Sequence, residues 1–386
     1  MKILKRILLT IFFISVIPIL VSFIFWYSKS KIEINIYILD KTVRDFTFSN
    51  HKSLFWILNN CRITKSNGNS YNYNQDYFGF FPIYPLENHQ YEIKRISLEQ
   101  IDSISDAYDA LYYADTYGVY FSEWYNGFRS VKENSFIDGG LNQNDFLFLK
   151  AMNDKNKLIM LEYNTLNAPT SDLIRDKTEK LLGIHLTGWY GKYINNLDSS
   201  NNQDLPRSII NKYFIQHNRE WPFKGSGIVL TNNFKVIVLQ KGVQLISEEP
   251  YINSNYTLQD KYHIPENTVF LNWFEVINAA DTNDIMANYS LNLTVNGDSI
   301  LHANGIPSSC PAIISYQRYK KNMFYFAGDF ANNSVNMYYS RLEYSQKLLD
   351  IFRSDDRNVF FQNFYYPLIN NILTKYLNSK KNKKEQ

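Results

Sequence analysis

Residues 158–165 have the sequence Leu158-Ile159-Met160-Leu161-Glu162-Tyr163-Asn164-Thr165, an apolar run that ends abruptly in polar residues. Such a run is typical of a buried strand. The residues that follow, Ala168-Pro169-Thr170-Ser171, suit the start of a helix. Because ligands of open α/β sheets bind beyond the carboxyl ends of the parallel strands, this stretch predicts both a fold class and the place of a site.

Other predicted strands end in the same way. The strands predicted at 32–39, 110–114 and 322–328 each meet an acidic residue at a polar turn, and these residues are Asp40, Asp115 and Asp329. Asn50 is predicted to cap one helix, a second is predicted from about 142 to 153, and a third ends at Gly183. This alternation predicts an α/β fold with a parallel sheet that helices cover on both faces.

The pattern changes after residue 225. Two apolar runs joined at Asn232-Asn233 predict a hairpin, and further strands are predicted at 269–274 and 289–295 without long helices between them. We therefore predict a β-rich portion that is inserted into the α/β sheet or packs against it. The chain then returns to the parallel sheet and closes with helices at 335–352 and 360–377, with Pro367 as a kink or break in the second.

The N-terminus has the features of a membrane anchor. Residues 7–26 are uncharged and would span roughly 30 Å as a helix, which is about the thickness of a bilayer core. Lys2, Lys5 and Arg6 precede this run and favour an N-terminus in the cytoplasm. A cleaved signal peptide is the alternative. In both cases we expect the rest of the chain outside the cytoplasm, with a single-pass cell-membrane location if the anchor is retained.

Charge argues against a nucleic-acid partner. The formal net charge is +3, but residues 1–29 hold four basic and no acidic residues, so the remainder has 36 basic residues against 37 acidic ones. No basic stripe is present. The sequence divides into an anchor (1–29), a first part of the α/β domain (30–225), a β-rich insertion (226–310), a return strand with C-terminal helices (311–378) and a basic tail (379–386).

Two cysteines, Cys61 and Cys310, occur in the chain. They could pair in an oxidising compartment or remain buried thiols, and the sequence does not show whether their Cα atoms come within reach of each other. Their spacing does not support a metal site.

The order of these elements resembles the class I glutamine amidotransferase-like fold, which has a flavodoxin-type sheet. The resemblance covers about 30–225 and 311–375 and is closest to uncharacterised membrane-anchored bacterial members; its matching stretches are 36–41, 112–120, Gly139-Gly140, 158–165 and 324–329. Amidotransferases proper have a Cys nucleophile after the strand that corresponds to 158–162, and a His-Glu pair near the C-terminus. Here that segment is Glu162-Tyr163-Asn164-Thr165, and no His follows His302. The resemblance therefore implies a fold and a site location without glutaminase chemistry.

The candidate site consists of the strand-end acids and their neighbours. Paired carboxylates can divide acid and base roles when their surroundings separate their pKa values. Glu162 and Asp115 are the catalytic candidates; the ligand-binding candidates are Asp40, Lys41, His51, Tyr117, Gly140, Asn164, Thr165 and Asp329. Each acid could instead cap a helix or bind loop backbone. Aromatic residues at 187–193 and at Tyr117, Tyr120, Trp124 and Tyr125 could stack on sugar rings or belong to the core.

Other site chemistries have less support. Several carboxylates with His51 could hold a hard divalent cation, but no recognised metal-ligand spacing is present. Thr165 could act as a nucleophile only with a nearby base such as His51, and no Gly-x-Ser-x-Gly elbow occurs. We therefore expect no metal and no cofactor.

Two functions from different classes remain. The first is a catalytically silent module that binds a glycan or a partner protein of the cell envelope. The second is a carboxylate-dependent hydrolase of envelope or exported polysaccharide. The absence of the Cys and of a C-terminal His favours the first, and the acids with aromatic neighbours favour the second.

Overall fold

The computed structural model describes residues 2–125, 135–200, 204–247, 249–316, 322–343 and 359–384. The α-helices are α1 (Lys2–Ser28), α2 (Lys52–Asn60), α3 (Ile101–Ala107), α4 (Phe121–Trp124), α5 (Gln143–Asp154), α6 (Asp172–Leu182), α7 (Arg207–His217), α8 (Tyr256–Tyr262), α9 (Val295–Ala303) and α10 (Tyr366–Lys384). The strands of the first half are β1 (Ile32–Glu33), β2 (Ile36–Asp40), β3 (Ile63–Thr64), β4 (Phe78–Pro82), β5 (Tyr91–Lys94), β6 (Ala110–Asp115), β7 (Val119–Tyr120), β8 (Phe136–Asp138) and β9 (Leu158–Glu162). The strands of the second half are β10 (Ile184–Ile194), β11 (Gly227–Thr231), β12 (Val236–Gln240), β13 (Tyr251–Ser254), β14 (Asn267–Val269), β15 (Phe274–Ala279), β16 (Ile285–Ser290), β17 (Ser309–Ser315) and β18 (Met323–Phe326).

A parallel sheet forms the centre of the molecule. Its strands lie in the order β4, β2, β6, β9 and β18, and each neighbouring pair is parallel. Numbered by their position in the chain, these strands have the order 2-1-3-4-5 of flavodoxin-like folds. Every residue of β2, β6 and β9 is buried, as expected for strands covered on both faces. The predicted parallel sheet is confirmed.

Antiparallel strands extend this sheet on both sides. β5 pairs with β4 at one edge, and β17, β16, β13 and β14 follow β18 at the other. Within the described ranges, the complete sheet has ten strands. The strands of segment 226–310 are therefore divided between this sheet and a second one.

The second sheet has the order β12, β11, β10 and β15, all antiparallel. β11 and β12 form the predicted hairpin, which is confirmed. The strand predicted at 289–295 is wrong in extent, because β16 ends at Ser290 and α9 begins at Val295. The Thr294 hydroxyl accepts a hydrogen bond from the Gly297 N–H at 3.2 Å and so caps α9.

Helix ends follow the predicted signals in two of three places. Asn142 caps α5 through its side chain, and Gly183 ends α6 with a φ of 58°. Asn50 does not cap α2: the helix begins after His51, and the Asn50 amide donates to Asp115 Oδ2 at 3.3 Å. The capping prediction failed because the sequence does not show this competing acceptor.

The chain remains helical across Pro367. A π-helical turn over Phe361–Tyr365 leads directly into α10, and Pro367 is the second residue of that helix. Of the two predicted alternatives, the break is wrong; the kink stays a prediction, and a π-helical turn is a typical place for one. The helix predicted at 335–352 begins as a 3₁₀ turn, Met337–Arg341, and its part after residue 343 lies outside the described residues.

The end of α1 is attached to the domain. The Trp26 indole Nε1 donates to the Asn59 carbonyl at 2.9 Å, and the Arg62 guanidinium lies 5.3 Å from the centre of the Trp26 ring. Both partners lie at the end of α2 that leads into β3. Among the residues that the structure describes, no helix combines the length and the apolar character that a bilayer span requires. The anchor at 7–26 stays a prediction.

Substitution of Gly79 tests how closely β4 approaches the backbone of Asp40. Its φ is +119°, and a Cβ there would lie 1.9 Å from the Asp40 carbonyl oxygen. We expect Gly79→Ala to lower the free energy of unfolding by roughly 2 kcal/mol or more, because backbone strain and a backbone collision add. Urea denaturation measures this change.

Gly68→Ala is the matched control. Gly68 also has a positive φ (+76°), but no atom lies within 4 Å of the added Cβ. A cost of Gly79→Ala no larger than that of Gly68→Ala would contradict the close approach of β4 to Asp40.

Candidate functional site

A cleft of about 670 Å³ opens at the carboxyl ends of the parallel strands. It lies where β2 and β6 end, which is the point at which the strand order reverses and where flavodoxin-like folds bind ligands. One side is formed by the loop after β2, and the other by the second sheet with α7. The predicted location is therefore occupied by an open cavity of a size typical of small-molecule sites.

Three of the predicted acids line this cleft: Asp40, Asp115 and Asp329. Asp40 and Asp115 are paired across neighbouring strands, so the register of β2 and β6 places their side chains together. Asp329 follows β18, and its Oδ2 accepts a hydrogen bond from the Asn332 amide at 2.8 Å. Tyr117 and Asn164, both predicted, also line the cleft.

Asp115 has the densest set of donors. Its Oδ1 accepts from the Thr42 hydroxyl at 2.9 Å and from the Tyr117 N–H at 2.6 Å. Its Oδ2 accepts from the amides of Asn50 and Asn164, each at 3.3 Å. Asn164 has a φ of 66°, a left-handed conformation that asparagine tolerates better than most residues, and this turns its amide back towards Asp115. The turn after β9 therefore supplies an amide to the cleft.

Burial and mutual repulsion separate the titration of these acids. Burial, with the Asp40 charge second, raises the pKa of Asp115 to about 8. Burial raises the pKa of Asp329 to about 6, although the Asn332 hydrogen bond and the Lys192 charge oppose that rise. At neutral pH Asp115 is thus mostly protonated and Asp329 mostly ionised. The cleft can offer one carboxyl donor beside one carboxylate acceptor.

Asp40 is in hydrogen-bond contact with His51. His51 Nδ1 lies 2.6 Å from Asp40 Oδ2, and His51 Nε2 lies 2.8 Å from the Tyr73 carbonyl oxygen. Because a carbonyl only accepts, Nε2 must carry a hydrogen. His51 does not line the cleft.

Glu162 does not belong to the cleft. It is 1% exposed, and its Oε2 accepts from the N–H groups of Phe330 and Ala331 at 3.1 Å each, while Tyr112 donates to Oε1. Burial raises the pKa of Glu162 well above its usual range. The side chain predicted as a catalytic acid or base is engaged in holding backbone.

Three other predicted ligand-binding residues also lie outside the cleft lining. Lys41 is 1% exposed and binds Asp145 Oδ2 at 2.6 Å and the Gly140 carbonyl at 2.8 Å. Gly140 packs against the backbone of Pro169 and Thr170, where a Cβ would collide. The Thr165 hydroxyl is buried and donates to the Glu162 carbonyl at 2.5 Å. These residues stabilise the loops behind the cleft.

Several lining residues have no counterpart in the sequence prediction. They come from the loop after β2, from the turn after β9, from α7 and from the segment that leads into β15 of the second sheet: Thr42, Phe48, Asn50, Tyr163, Asn167, Lys212 and Trp273. Thr42 could have been found by extending the search two residues beyond Asp40. Trp273 could not, because only the packing of the second sheet brings it to this edge. Of the predicted aromatic residues, Tyr117, Tyr120 and Tyr190 line the cleft, whereas Trp124 is buried against His89.

The structure offers no metal site in the residues it describes: no cluster of three or more His, Cys, Asp or Glu there has the geometry to hold an ion. Cys61 and Cys310 are free thiols, and neither lines the cleft. Burial raises the pKa of Cys61 to about 11 and that of Cys310 to about 12, so both stay protonated at neutral pH.

Comparison with known proteins gives distant structural neighbours. No family model and no curated protein matches the chain. A thua-like protein from Bacteroides uniformis has a TM-score of 0.36 and 8% identity, over 88% of this chain and 93% of its own. A thua-like protein from Parabacteroides merdae has a TM-score of 0.34 and 9% identity, over 77% of this chain and 79% of its own. At TM-scores this low, neither likeness bears on the chemistry of the cleft.

Replacement of Lys41 tests its assignment as a structural residue. Lys41→Met leaves the buried Asp145 carboxylate without its cation, and we expect the free energy of unfolding to fall by about 3 kcal/mol or more. Lys150→Met is the control, because the Lys150–Asp154 pair has the same 2.6 Å distance but is half exposed. It should cost less than about 1 kcal/mol. Equal costs in urea denaturation would contradict the assignment.

Asp115 should make the protein less stable as pH rises. Its folded pKa of about 8 exceeds the ordinary value of 3.8, so its contribution to stability is complete below about pH 4 and is lost as pH rises towards 8. We expect Asp115→Asn to gain stability relative to the wild type over this interval, reaching a few kcal/mol at pH 8. Urea denaturation from pH 4.5 to 8.5 measures the difference.

Asp106→Asn serves as the comparison for that series. Asp106 is exposed and its hydrogen bond with Lys155 lowers its pKa, so no such gain should appear. A pH-independent difference between Asp115→Asn and the wild type would show that the Asp115 carboxyl titrates normally.

Proposed function

We propose that the chain is a binding module whose cleft holds a hydroxyl-rich ligand, and that this ligand is a glycan of the cell envelope. The observation that supports the proposal most directly is the composition of the cleft. Carboxyl and amide groups converge at its base, and the aromatic rings of Tyr117, Tyr190 and Trp273 line its walls. Flat apolar surfaces with a few fixed polar groups are typical of small-molecule sites.

The polar groups suit hydroxyls better than anions. The charges of Asp40 and Asp329 both raise the pKa of Asp115, and a bound anion would add to that repulsion. Arg44 is engaged with Glu123 at 3.1 Å, and Lys212 donates to the Thr231 hydroxyl at 3.0 Å. A sugar hydroxyl can both donate to Asp329 and accept from a protonated Asp115, so it matches the two acids at neutral pH.

The setting of the cleft favours binding without covalent chemistry. No cysteine is among its lining residues, and both ring nitrogens of His51 already have partners. We propose that the chain is an amidotransferase-like module without glutaminase activity, held at the cell membrane by residues 7–26 with the cleft outside the cytoplasm. The apolar run preceded by Lys2, Lys5 and Arg6 supports this location.

A second function, carboxylate-dependent hydrolysis of a polysaccharide, is favoured by one observation. The pKa of Asp115, about 8, and that of Asp329, about 6, differ in the sense that a general acid and a general base require at neutral pH. Asp115 would protonate the leaving oxygen, and Asp329 would activate water or stabilise the developing positive charge. Glu162 has no part in this version, because its oxygens bind backbone N–H groups.

Binding and reducing-end release should be measured with the full-length chain on a panel of bacterial envelope polysaccharides. We expect the wild type to bind at least one of them, and Trp273→Ala to weaken that binding tenfold or more. Tyr256→Ala is the control, since Tyr256 is an exposed ring outside the cleft. Equal losses in the two variants, or no binding to any glycan, would refute the glycan proposal.

The same assay separates the two functions. Release of reducing ends by the wild type, lost in Asp115→Asn and in Asp329→Asn, would establish hydrolysis and displace the silent-module proposal. Binding without release would exclude hydrolysis of the glycan that is bound. If the chain binds none of the glycans but does bind an envelope protein, its ligand would be assigned as a protein partner.

A further inference from the structure

Glu275 is a buried acid behind the cleft that the proposed function does not use. It lies on β15 with 0% exposure, at the junction between the second sheet and the central sheet. Tyr325 on β18 donates to its Oε1, and the Asn167 amide nitrogen donates to its Oε2 at 2.8 Å. The Asn167 amide oxygen in turn accepts from the Tyr190 hydroxyl at 2.9 Å. Both Asn167 and Tyr190 line the cleft, so the chain of hydrogen bonds ends there.

The direction of every hydrogen bond in this chain follows from the charge on Glu275. An ionised carboxylate only accepts, so the amide nitrogen of Asn167 must face it. The amide oxygen is then left to face Tyr190, and the Tyr190 hydroxyl must donate to that oxygen. The single proton of the Tyr190 hydroxyl is then used in the hydrogen bond to Asn167, so only the lone pairs of its oxygen remain for a ligand in the cleft.

We propose that Glu275 is a positioning residue that acts through Asn167 to fix Tyr190 as a hydrogen-bond acceptor towards the cleft, and so selects ligands that donate. The selection rests on the proposed function, because it needs the cleft to be a binding site. Tyr190 then joins Asp329 as an acceptor, and a ligand with several hydroxyl or amine donors fits the cleft better than one with ether or ester oxygens.

Protonation of Glu275 removes this constraint. A protonated carboxyl can donate, which allows the Asn167 amide to turn its oxygen towards Glu275 and its nitrogen towards Tyr190. Tyr190 would then accept from Asn167 and point its own proton into the cleft. Burial raises the pKa of Glu275 to about 7, so the two arrangements exchange near neutral pH. Selection for donors should be strongest above pH 7 and weaken below it.

The groups that face Glu275 do not titrate in the same interval. The titratable side chains that interact with it are phenols, namely Tyr325, Tyr190, Tyr163 and Tyr289. Burial raises the pKa of Tyr190 to about 12 and those of the other three well above their usual range. Asp115 and Asp329, with pKa values of about 8 and about 6, line the same cleft and also titrate near this interval, so a transition near pH 7 is assigned to Glu275 by its loss in Glu275→Gln.

The test follows the Asn167 side-chain amide by NMR in the full-length chain labelled with ¹⁵N-asparagine, between pH 5.5 and 8.5. The signal pair is assigned by its loss in Asn167→Asp. We expect its shifts to change with a midpoint near pH 7 in the wild type and to lose that transition in Glu275→Gln. Glu92→Gln is the matched control: Glu92 is exposed on β5, at an edge of the central sheet and outside the cleft lining, and its loss should leave the Asn167 transition in place.

Tyr325→Phe keeps the proposal testable if Glu275→Gln does not fold. The Tyr325 hydrogen bond opposes the rise in the pKa of Glu275, so its removal should move the midpoint to higher pH. An Asn167 amide that does not respond to pH, or that responds equally in Glu275→Gln, would overturn the proposal. No ligand is used, so failure here is distinct from failure of the glycan-binding experiment.

Discussion

The carboxyl group of Glu162 connects the carboxyl ends of two neighbouring parallel strands, β9 and β18. It closes β9, and its Oε2 binds two successive backbone N–H groups just after β18. Those bonds hold the segment next to Asp329, whose side chain lines the cleft together with Asp40 and Asp115. Because the oxygens are buried, any other geometry would leave a polar group without a partner, at a cost of about 1–3 kcal/mol. An acid outside the cleft therefore helps to set the shape of the site.

The buried acids in and behind the cleft lower the stability of the fold. Burial disfavours the charged form of Asp115, Asp329 and Glu275 and so raises the pKa of each carboxyl group. Each raised pKa lowers the free energy of unfolding, a loss that an apolar core residue would not cause. Such groups are characteristic of functional sites, where perturbed ionisation serves binding or chemistry. The hydrogen bonds from Thr42, Asn164 and Asn167 reduce this cost without removing it.

Sequence alone was sufficient for the parallel sheet and for the edge at which its cleft opens, because strand ends are marked by an abrupt change from apolar to acidic residues. It could not separate Asp115 from Glu162, since both follow buried strands and differ only in which donors the fold brings to them. Tyr190 and Trp273 depend on a second sheet whose docking has no local signature. The strand expected at 289–295 failed for a local reason, the cap at Thr294, and that signal was present in the sequence.

The contacts of α1 with the domain determine which end of the parallel sheet lies next to the N-terminal helix. Trp26 and Arg62 meet at the amino ends of the parallel strands, whereas the cleft opens at the carboxyl ends. Five-residue strands such as β2 place these two poles roughly 17 Å apart. Any surface that binds the N-terminal helix would therefore lie on the side of the amino ends of the parallel strands. The mouth of the cleft would then face away from that surface.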